Sequence, residues 1–492
     1  MQSKHDQVQA HTFVMGRLTS GMLLGDPDAP ESPLARTTRG AVIGIVVGVL
    51  IAVGAVVYGV ISPGGKDSWR SAESLIVNQD TGARYLYIGG RLRPVRNYAS
   101  ALLIGGADLK TAAVHTGSLR GTPVGTPVGV PGAPDSVPSA GDLDGGPWQV
   151  CSTVRHQETA GGSTVDTAAT TLVVGFSPDG DGLGADQGLL VVGPDKKTYL
   201  VWQGSRLRLD TASGAAASLG YGSVTPRPVS AAYLDALVSG PELVPPGVPG
   251  RGTAGPALEG RNSVVGQVFQ VRVPGSDAQY YLLKREGLVP LTETGAALAL
   301  GDPETRRLAY HDAAPKAAVI GAAALKERQA AGAAGRSPAV QGLPDSPPKA
   351  ADVPDGVSAC AGVEPGHGHT RVTSVLVPVS ALAPVTQAPS EEVTAACARV
   401  ESTVVRPGHG ALVRALASGG TAVGDTTYFV GDTGVKFRVP SGTALKALGY
   451  SEDDVESLPS PMLAMLPSGP DLSPDAAAGG RPTITSPTCG KK

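Results

Sequence analysis

Aromatic side chains are scarce, at 4% of 492 residues, while Gly (67) and Pro (42) abound. That composition argues against long regular elements and for many turns, short strands and irregular connections. An excess of positive charge is also missing. Against 43 Asp and Glu stand 40 Lys and Arg, a net charge of -3, so the basic footprint of a nucleic-acid-binding protein is excluded. Nucleotide and hydrolase signatures are absent too. No G-x-x-x-x-G-K-[ST] is there to wrap phosphates, and no H-E-x-x-H, C-x-x-C or G-x-S-x-G occurs. Cysteine is limited to four residues, Cys151, Cys360, Cys397 and Cys489.

What is present is one long apolar run. Gly40 to Ile61 holds no charged residue and no polar stripe, is rich in Gly and β-branched residues, and ends at the breaker Ser62-Pro63-Gly64-Gly65. Its length matches the roughly 20 residues a helix needs to cross a bilayer. A cleaved signal peptide is the rival reading. Its apolar region would run to about 7–15 residues behind a short basic stretch, and no A-x-A-type site follows Ile61. An uncleaved anchor over 40–62 is therefore expected, with everything beyond it on one side of the membrane.

Flanking charge barely orients this anchor, since Arg36 and Arg39 lead in and Lys66 and Arg70 lead out. Residues 1–39 are placed in the cytoplasm because they are the shorter side and hold no cysteine. All four cysteines then fall in an oxidising space, where an even count fits disulfides; buried free thiols are the alternative. Within 1–39, Val14, Leu18 and Met22 recur every fourth residue, with Val8 and Met15 nearby, and Gly25-Asp26-Pro27 stops the pattern. This predicts a short amphipathic helix, lying at the interface or docked on another subunit, or else a solvated tail.

Beyond the anchor a pattern recurs four times: Tyr85 to Val95, Tyr199 to Leu209, Tyr281 to Leu291 and Tyr428 to Val439. Each is an apolar run, a Gly-containing reversal and a second alternating run, which reads as a hairpin. An Ala/Leu-rich helical turn follows each, at 99–104, 212–219, 295–300 and 443–448, closing on Gly105, Gly220, Gly301 and Gly449. The unit is thus β-β-α, and such units must pack on each other or on a shared core. A second echo, Leu237-Val238-Ser239-Gly240-Pro241-Glu242-Leu243 against Leu466-Pro467-Ser468-Gly469-Pro470-Asp471-Leu472, supports internal duplication.

The expected organisation is a first repeat at 63–110, a central β-rich domain at 111–193 and 359–423, and further repeats at 194–250, 260–305 and 424–475. A Pro/Ala-rich connection fills 306–358 and a tail 476–492. The fold class is a single-pass membrane protein with a mostly β (α+β), elongated ectodomain of four β-β-α repeats around a central β-rich domain.

Candidate chemistry is thin. Gly180-Asp181-Gly182-Leu183-Gly184-Ala185 fits a dinucleotide fingerprint nominally, but Asp179, Asp181 and Asp186 would repel a pyrophosphate and no helical run follows. The same carboxylates lack the spaced oxygens and closing Glu of a calcium loop, and a turn explains them better. His367, His369 and His409 sit in loops without committed ligand spacing, so no metal site is assigned. Arg91, Arg93, Arg206 and Arg208 could meet envelope phosphates or carboxylates, or be ordinary outward-facing strand residues. No catalytic, cofactor-binding or metal residues are assigned.

Gln7-Val8-Gln9-Ala10-His11 with Phe13-Val14 and Arg17-Leu18, then Asp26-Pro27-Asp28-Ala29-Pro30 and Pro33-Leu34 before the anchor, and Pro63-Gly64-Gly65 with Trp69 after it form an ordered series. That series resembles the EccB family, the membrane-anchored subunit of type VII (ESX) secretion. Asp80-Thr81-Gly82, Gly90-Arg91-Leu92, Gly129-Val130-Pro131-Gly132-Ala133-Pro134-Asp135, Trp148 before Cys151, Tyr199-Leu200-Val201-Trp202 and Gly408-His409-Gly410 continue the match. The resemblance implies a structural role in an extracytoplasmic assembly, with the EccC motor ATPase, EccD and EccE as partners and ectodomains that associate with each other. It also implies a Cys151–Cys360 bridge. Cys397 and Cys489 depart from the family pattern, and their pairing is a hypothesis by elimination. Some members carry an ATPase attribution for which these residues supply no mechanism. A membrane-tethered module binding peptidoglycan, or an envelope ATPase or hydrolase, are the alternatives.

Overall fold

The structure, a computed structural model, describes residues 4–25, 33–61, 68–71, 73–158, 162–273, 275–333, 337–366, 370–382, 392–416, 422–485 and 489. It divides into two units, one of residues 1–71 with 114–120 and one of the remainder.

The long helices of the first unit are α1 (Lys4–Leu24) and α2 (Pro33–Ile61). Helix α1 stops where Gly25 turns to φ +70°, a left-handed conformation that Gly adopts cheaply. At 100° per residue, Val8, Met15, Leu18 and Met22 share one side of α1, but the exposed Phe13 lies opposite Met22, so the apolar stripe is broken. Helix α2 begins seven residues earlier than the apolar run, at Pro33, whose fixed φ and missing N–H suit a first helical position. Its apolar part, Thr37–Val57, is 21 residues long with none of it buried, enough to cross a bilayer. The breaker at 62–65 lies outside the described residues.

Among the described residues of the second unit, the strands form five sheets. The central one is organised by a long hairpin, Trp148–Glu158 with Thr164–Val173, paired from Gln149↔Val173 to Glu158↔Thr164. Val357–Glu364 pairs antiparallel on its other side, with Cys360 opposite Cys151, and Arg371–Pro378 follows. Alternation along these strands sends Trp148, Val150, Leu172, Ala359 and Ala361 into one core and Cys151, Val173, Cys360 and Val377 into another. A sheet covered on both faces needs apolar residues at odd and even positions alike, which is how 148–151 and 359–363 read.

The other four sheets share one connectivity. A leading strand (Ser74–Asn78, Gln187–Val192, Val268–Val271 or Ala411–Leu416) is followed by two hairpin strands, a short helix (two in the third sheet) and a strand that returns beside the leader. All four Tyr-led segments form their antiparallel hairpins. The second hairpin strand is then flanked by a later segment running parallel to it, as in Leu92↔Val124, Arg206↔Ser239, Leu288↔Gln329 and Lys436↔Ser468. That flank matters because an uncovered strand edge invites pairing with other chains.

Some sequence boundaries move. Gln187–Val192 and Ala411–Leu416, grouped above with the central region, lead the second and fourth of these sheets. The 306–358 connection supplies the return strand Ala318–Val319, and Lys349–Ala350 pairs with Gln187 and Gly188. Gly220 and Gly449 do take positive φ (+87° and +92°) after their helices, but Gly106 does so in place of Gly105, and Gly301 runs directly into Asp302.

The sheets fuse through shared cores. Ala99, Leu102 and Leu103 of the helix Tyr98–Gly105 pack with Phe429, Phe437, Leu445 and Ala477, joining the first and fourth sheets. Gln203 and Gly204, at φ +45° and +73°, turn the second hairpin against the central strand Arg371–Pro378, where a Cβ on Gly204 would overlap the Val372 carbonyl. Gly204→Ala therefore adds left-handed strain to a backbone clash, and is expected to cost about 2 kcal/mol. A chemical-denaturation midpoint unchanged from the parent would contradict that packing.

Candidate functional site

The charged groups that stood out in the sequence hold strands in place. Arg93 donates through Nε to the Thr126 carbonyl (3.0 Å) and through Nη2 to Thr126 Oγ1 (2.7 Å). Arg206 pairs with Asp235 at 3.3 Å, and Arg208 pairs with Glu242, whose carboxylate raises the arginine's pKa. Of the four candidate arginines only Arg91 is exposed on its strand edge; the other three are engaged in these contacts.

The two echoing heptapeptides occupy matching places. Gly240 and Leu243 donate their N–H groups to Arg206 and Arg208 carbonyls, at 3.1 and 2.8 Å. Gly469 and Leu472 donate to Lys436 and Arg438 in the same way, at 2.9 and 2.8 Å. The acidic residue between them pairs with the arginine beneath it in both cases, Glu242 with Arg208 and Asp471 with Arg438 (3.1 Å). The echo is thus the sequence of a strand-edge cover.

At the position matching Arg206, Lys436 is buried, and its Nζ donates to the Leu463 and Leu466 carbonyls, the latter at 2.8 Å. These carbonyls lie in and just past the last turn of helix Ser460–Ala464, so the ammonium caps that helix against the fourth sheet. Burial lowers the Lys436 pKa to about 8. Because the folded value lies below the unfolded one, the unfolded chain binds more protons between pH 8 and 10.5, and folding stability rises with pH across that window. Between pH 7.5 and 10 the gain is expected to be about 2 kcal/mol relative to Lys436→Met. Parallel urea titrations of both proteins with no difference in pH slope would refute it.

Asp144, buried, accepts two hydrogen bonds from the Arg406 guanidinium and lies 3.2 Å from His409 Nδ1. Arg406 also stacks on the Phe176 ring at 5.6 Å. His409 is therefore a partner of a carboxylate already held by arginine, while His367 and His369 lie outside the described residues. Among the described residues no group of three or more His, Cys, Asp or Glu is placed to hold a metal. Within the Gly180–Ala185 loop, Asp181–Gly182 forms a two-residue edge strand, with Asp181 opposite Leu376 and Gly182 opposite Val375. That pairing spends the backbone a dinucleotide fingerprint would offer to a pyrophosphate.

Cys151 and Cys360 are bonded between directly opposed strand residues, Cα atoms 3.9 Å apart and both fully buried. Cys397 and Cys489 are also bonded, Cα atoms 5.4 Å apart, both exposed. An open groove of about 640 Å³ runs along the third hairpin, lined by Tyr280, Tyr281, Asp277, Glu293 and Asp345. Its three carboxylates would repel a nucleotide's phosphates.

The family described as type VII secretion system ESX-1, transport TM domain B, matches residues 2–486. The chain belongs to this EccB family. Among relatives, the ESX-1 secretion system ATPase EccB1 of Mycobacterium tuberculosis (strain ATCC 25618 / H37Rv) is 28% identical over 96% of this chain and 93% of its own length. The ESX-3 secretion system ATPase EccB3 of Mycolicibacterium smegmatis is 27% identical over 95% and 88%. A chain from the periplasmic assembly of the ESX-5 inner membrane complex is similar at TM-score 0.64 and 25% identity, over 87% of this chain and 100% of that one. A chain of an intact ESX-5 inner membrane complex shares the fold at TM-score 0.63 and 24% identity, over 100% and 98%.

Proposed function

We propose that this chain is a structural subunit of a type VII (ESX) secretion membrane complex and builds part of its extracytoplasmic assembly. Its strongest support is length: the likeness to an ESX-5 periplasmic-assembly chain takes in all of that chain. In this reading α2 is the one membrane crossing, residues 1–39 are cytoplasmic, and the second unit lies outside the membrane. The four like-connected sheets are repeats of one duplicated unit set around the central sheet, and the shared edge-cover geometry of 237–243 and 466–472 favours that origin. The repeats begin one strand earlier than the hairpins, at Ser74, Gln187, Val268 and Ala411.

The partners are the EccC motor ATPase, EccD and EccE, with further contacts between ectodomains. Both disulfides form in the oxidising space outside the membrane. Non-reducing peptide mapping should recover Cys151 with Cys360 and Cys397 with Cys489; free thiols at either pair would remove that bridge. The relatives' names carry the word ATPase, but a scaffold needs no turnover, and the proposal assigns none to this chain.

The test is gentle detergent extraction of the tagged full-length chain. A large particle containing a motor ATPase and a polytopic subunit is expected. Recovery as a small species while the other subunits assemble without it would overturn the proposal. Retention of that species on peptidoglycan would favour a cell-wall binding module instead.

A further inference from the structure

We propose that the Cys397–Cys489 bridge is a redox-labile clasp that holds the C-terminal strap against the fourth sheet. The proposal rests on the pairing put forward above. The two bridges differ in the one property that governs thiol attack. Cys151 and Cys360 are 0% exposed within the central sheet, whereas Cys397 and Cys489 are both exposed. A thiolate must reach a sulfur to exchange with it, so an external reductant meets the second bridge first.

Among the described residues of the strap, 480–485 and Cys489, few contacts besides the bridge hold it. Helix Pro474–Gly479 ends at Gly480, φ +67°, which turns the chain back along the edge cover Ser468–Leu472. The Thr483 carbonyl accepts from the Asp471 N–H (2.7 Å), and Thr485 Oγ1 donates to Asp471 Oδ2 (2.7 Å). Arg438 Nη1 adds a donation to Thr485 Oγ1 at 3.3 Å. On the other side, Cys397 belongs to a segment fixed by reciprocal hydrogen bonds between Thr394 and Ser468, 2.8 and 2.9 Å, and by Ala398 N–H to the Ala464 carbonyl, 2.9 Å. Cys397 is thus anchored and Cys489 is tethered to it. A segment with so few contacts opens at low cost once its covalent tie is gone.

Opening has a definite consequence. It strips the Asp471 N–H of its acceptor and bares the outer edge of the cover at Asp471, beyond the Ser468 pairing with Thr394, a site for strand addition. It also removes the downstream tether of helix Pro474–Gly479. That helix places Ala477 in the core shared with the first sheet and accepts the Gly129 N–H at its carbonyl (2.8 Å). The redox state of the clasp therefore sets how firmly the seam between the first and fourth sheets is closed.

The step balances with an extracytoplasmic dithiol as reductant. One thiolate attacks a bridge sulfur and expels the other as thiolate; the second thiol resolves the mixed disulfide. Two electrons pass, the dithiol becomes a disulfide, and Cys397 and Cys489 become thiols.

Full-length protein in detergent, titrated with dithiothreitol, trapped by alkylation and mapped by mass spectrometry, tests it. Cys397 and Cys489 should be alkylated at reductant levels at least about tenfold below those that label Cys151 and Cys360. Hydrogen exchange should show faster exchange over 471–485 on reduction, with Val150 and Ala361 amides unchanged, and Cys397→Ser should show the same loss without reductant. Joint reduction of both bridges, or unaltered exchange at 471–485 after reduction, would overturn the clasp. Labelling of Cys397 and Cys489 before any reductant is added would instead overturn the pairing on which it rests.

Discussion

Replacing Cys151 and Cys360 together by alanine is expected to destabilise the unit that holds the sheets by about 5 kcal/mol, the larger of two effects that follow from its core. The bridge joins residues 209 apart in sequence, so its loss returns a long loop's worth of freedom to the unfolded chain. The native sheet has little need of it, because Ala359 to Val363 and Trp148 to Ser152 remain paired by the backbone. Unfolding should therefore shift to lower urea with near-native spectra before the transition. A midpoint equal to the parent's would mean that the bridge is not formed or closes no long loop.

Asp302→Ala should cost about 4 kcal/mol. The Asp302 carboxylate, nearly buried, accepts from the Glu304 and Thr305 N–H groups and so caps the helix Pro303–Ala309. It also pairs with Arg251, whose side chain is equally buried and reaches Glu304 at 3.1 Å and the Pro246 carbonyl at 3.3 Å. Losing a cap costs about 1 kcal/mol, and leaving the buried Arg251 with only the exposed Glu304 as counter-charge costs about 3 more. Asp302→Asn, which keeps the cap but not the charge, should recover only the smaller part. An Asn variant as stable as the parent would show that the cap alone matters.

Local features were legible in the sequence and long-range pairings were not. Alternation over a few residues gives away the hairpins from Tyr85, Tyr199, Tyr281 and Tyr428, because both partners are adjacent in the chain. The strand Gln187–Val192 is equally apolar, yet which sheet it enters depends on partners at 198–202, 227–228 and 349–350. Two-residue strands such as Arg227–Pro228 and Ala318–Val319 carry no periodicity at all. Asp302-Pro303 does hold a readable helix start, a capping acid before Pro at the first position, but the nearby Gly301 reads as a helix end and hides it.

The candidate site shows the same division. The echo of 237–243 in 466–472 is visible as sequence, but only its backbone bonds to Arg206, Arg208, Lys436 and Arg438 reveal it as an edge cover. Charges on the second hairpin strands look solvent-facing by alternation, as if free to bind an external anion. In fact the covering segments bring Glu242 and Asp471 over them and bury Lys436. The disulfides span 209 and 92 residues, beyond the reach of any local pattern.

Sidedness decides whether this chain acts outside the membrane at all, and protease protection measures it directly. Intact protoplasts bearing the full-length chain with an N-terminal tag are treated with protease and blotted. The account predicts a short protected tagged fragment ending just past α2, with the sheets digested away or released. An untouched C-terminal portion beside a shaved N-terminus would contradict it.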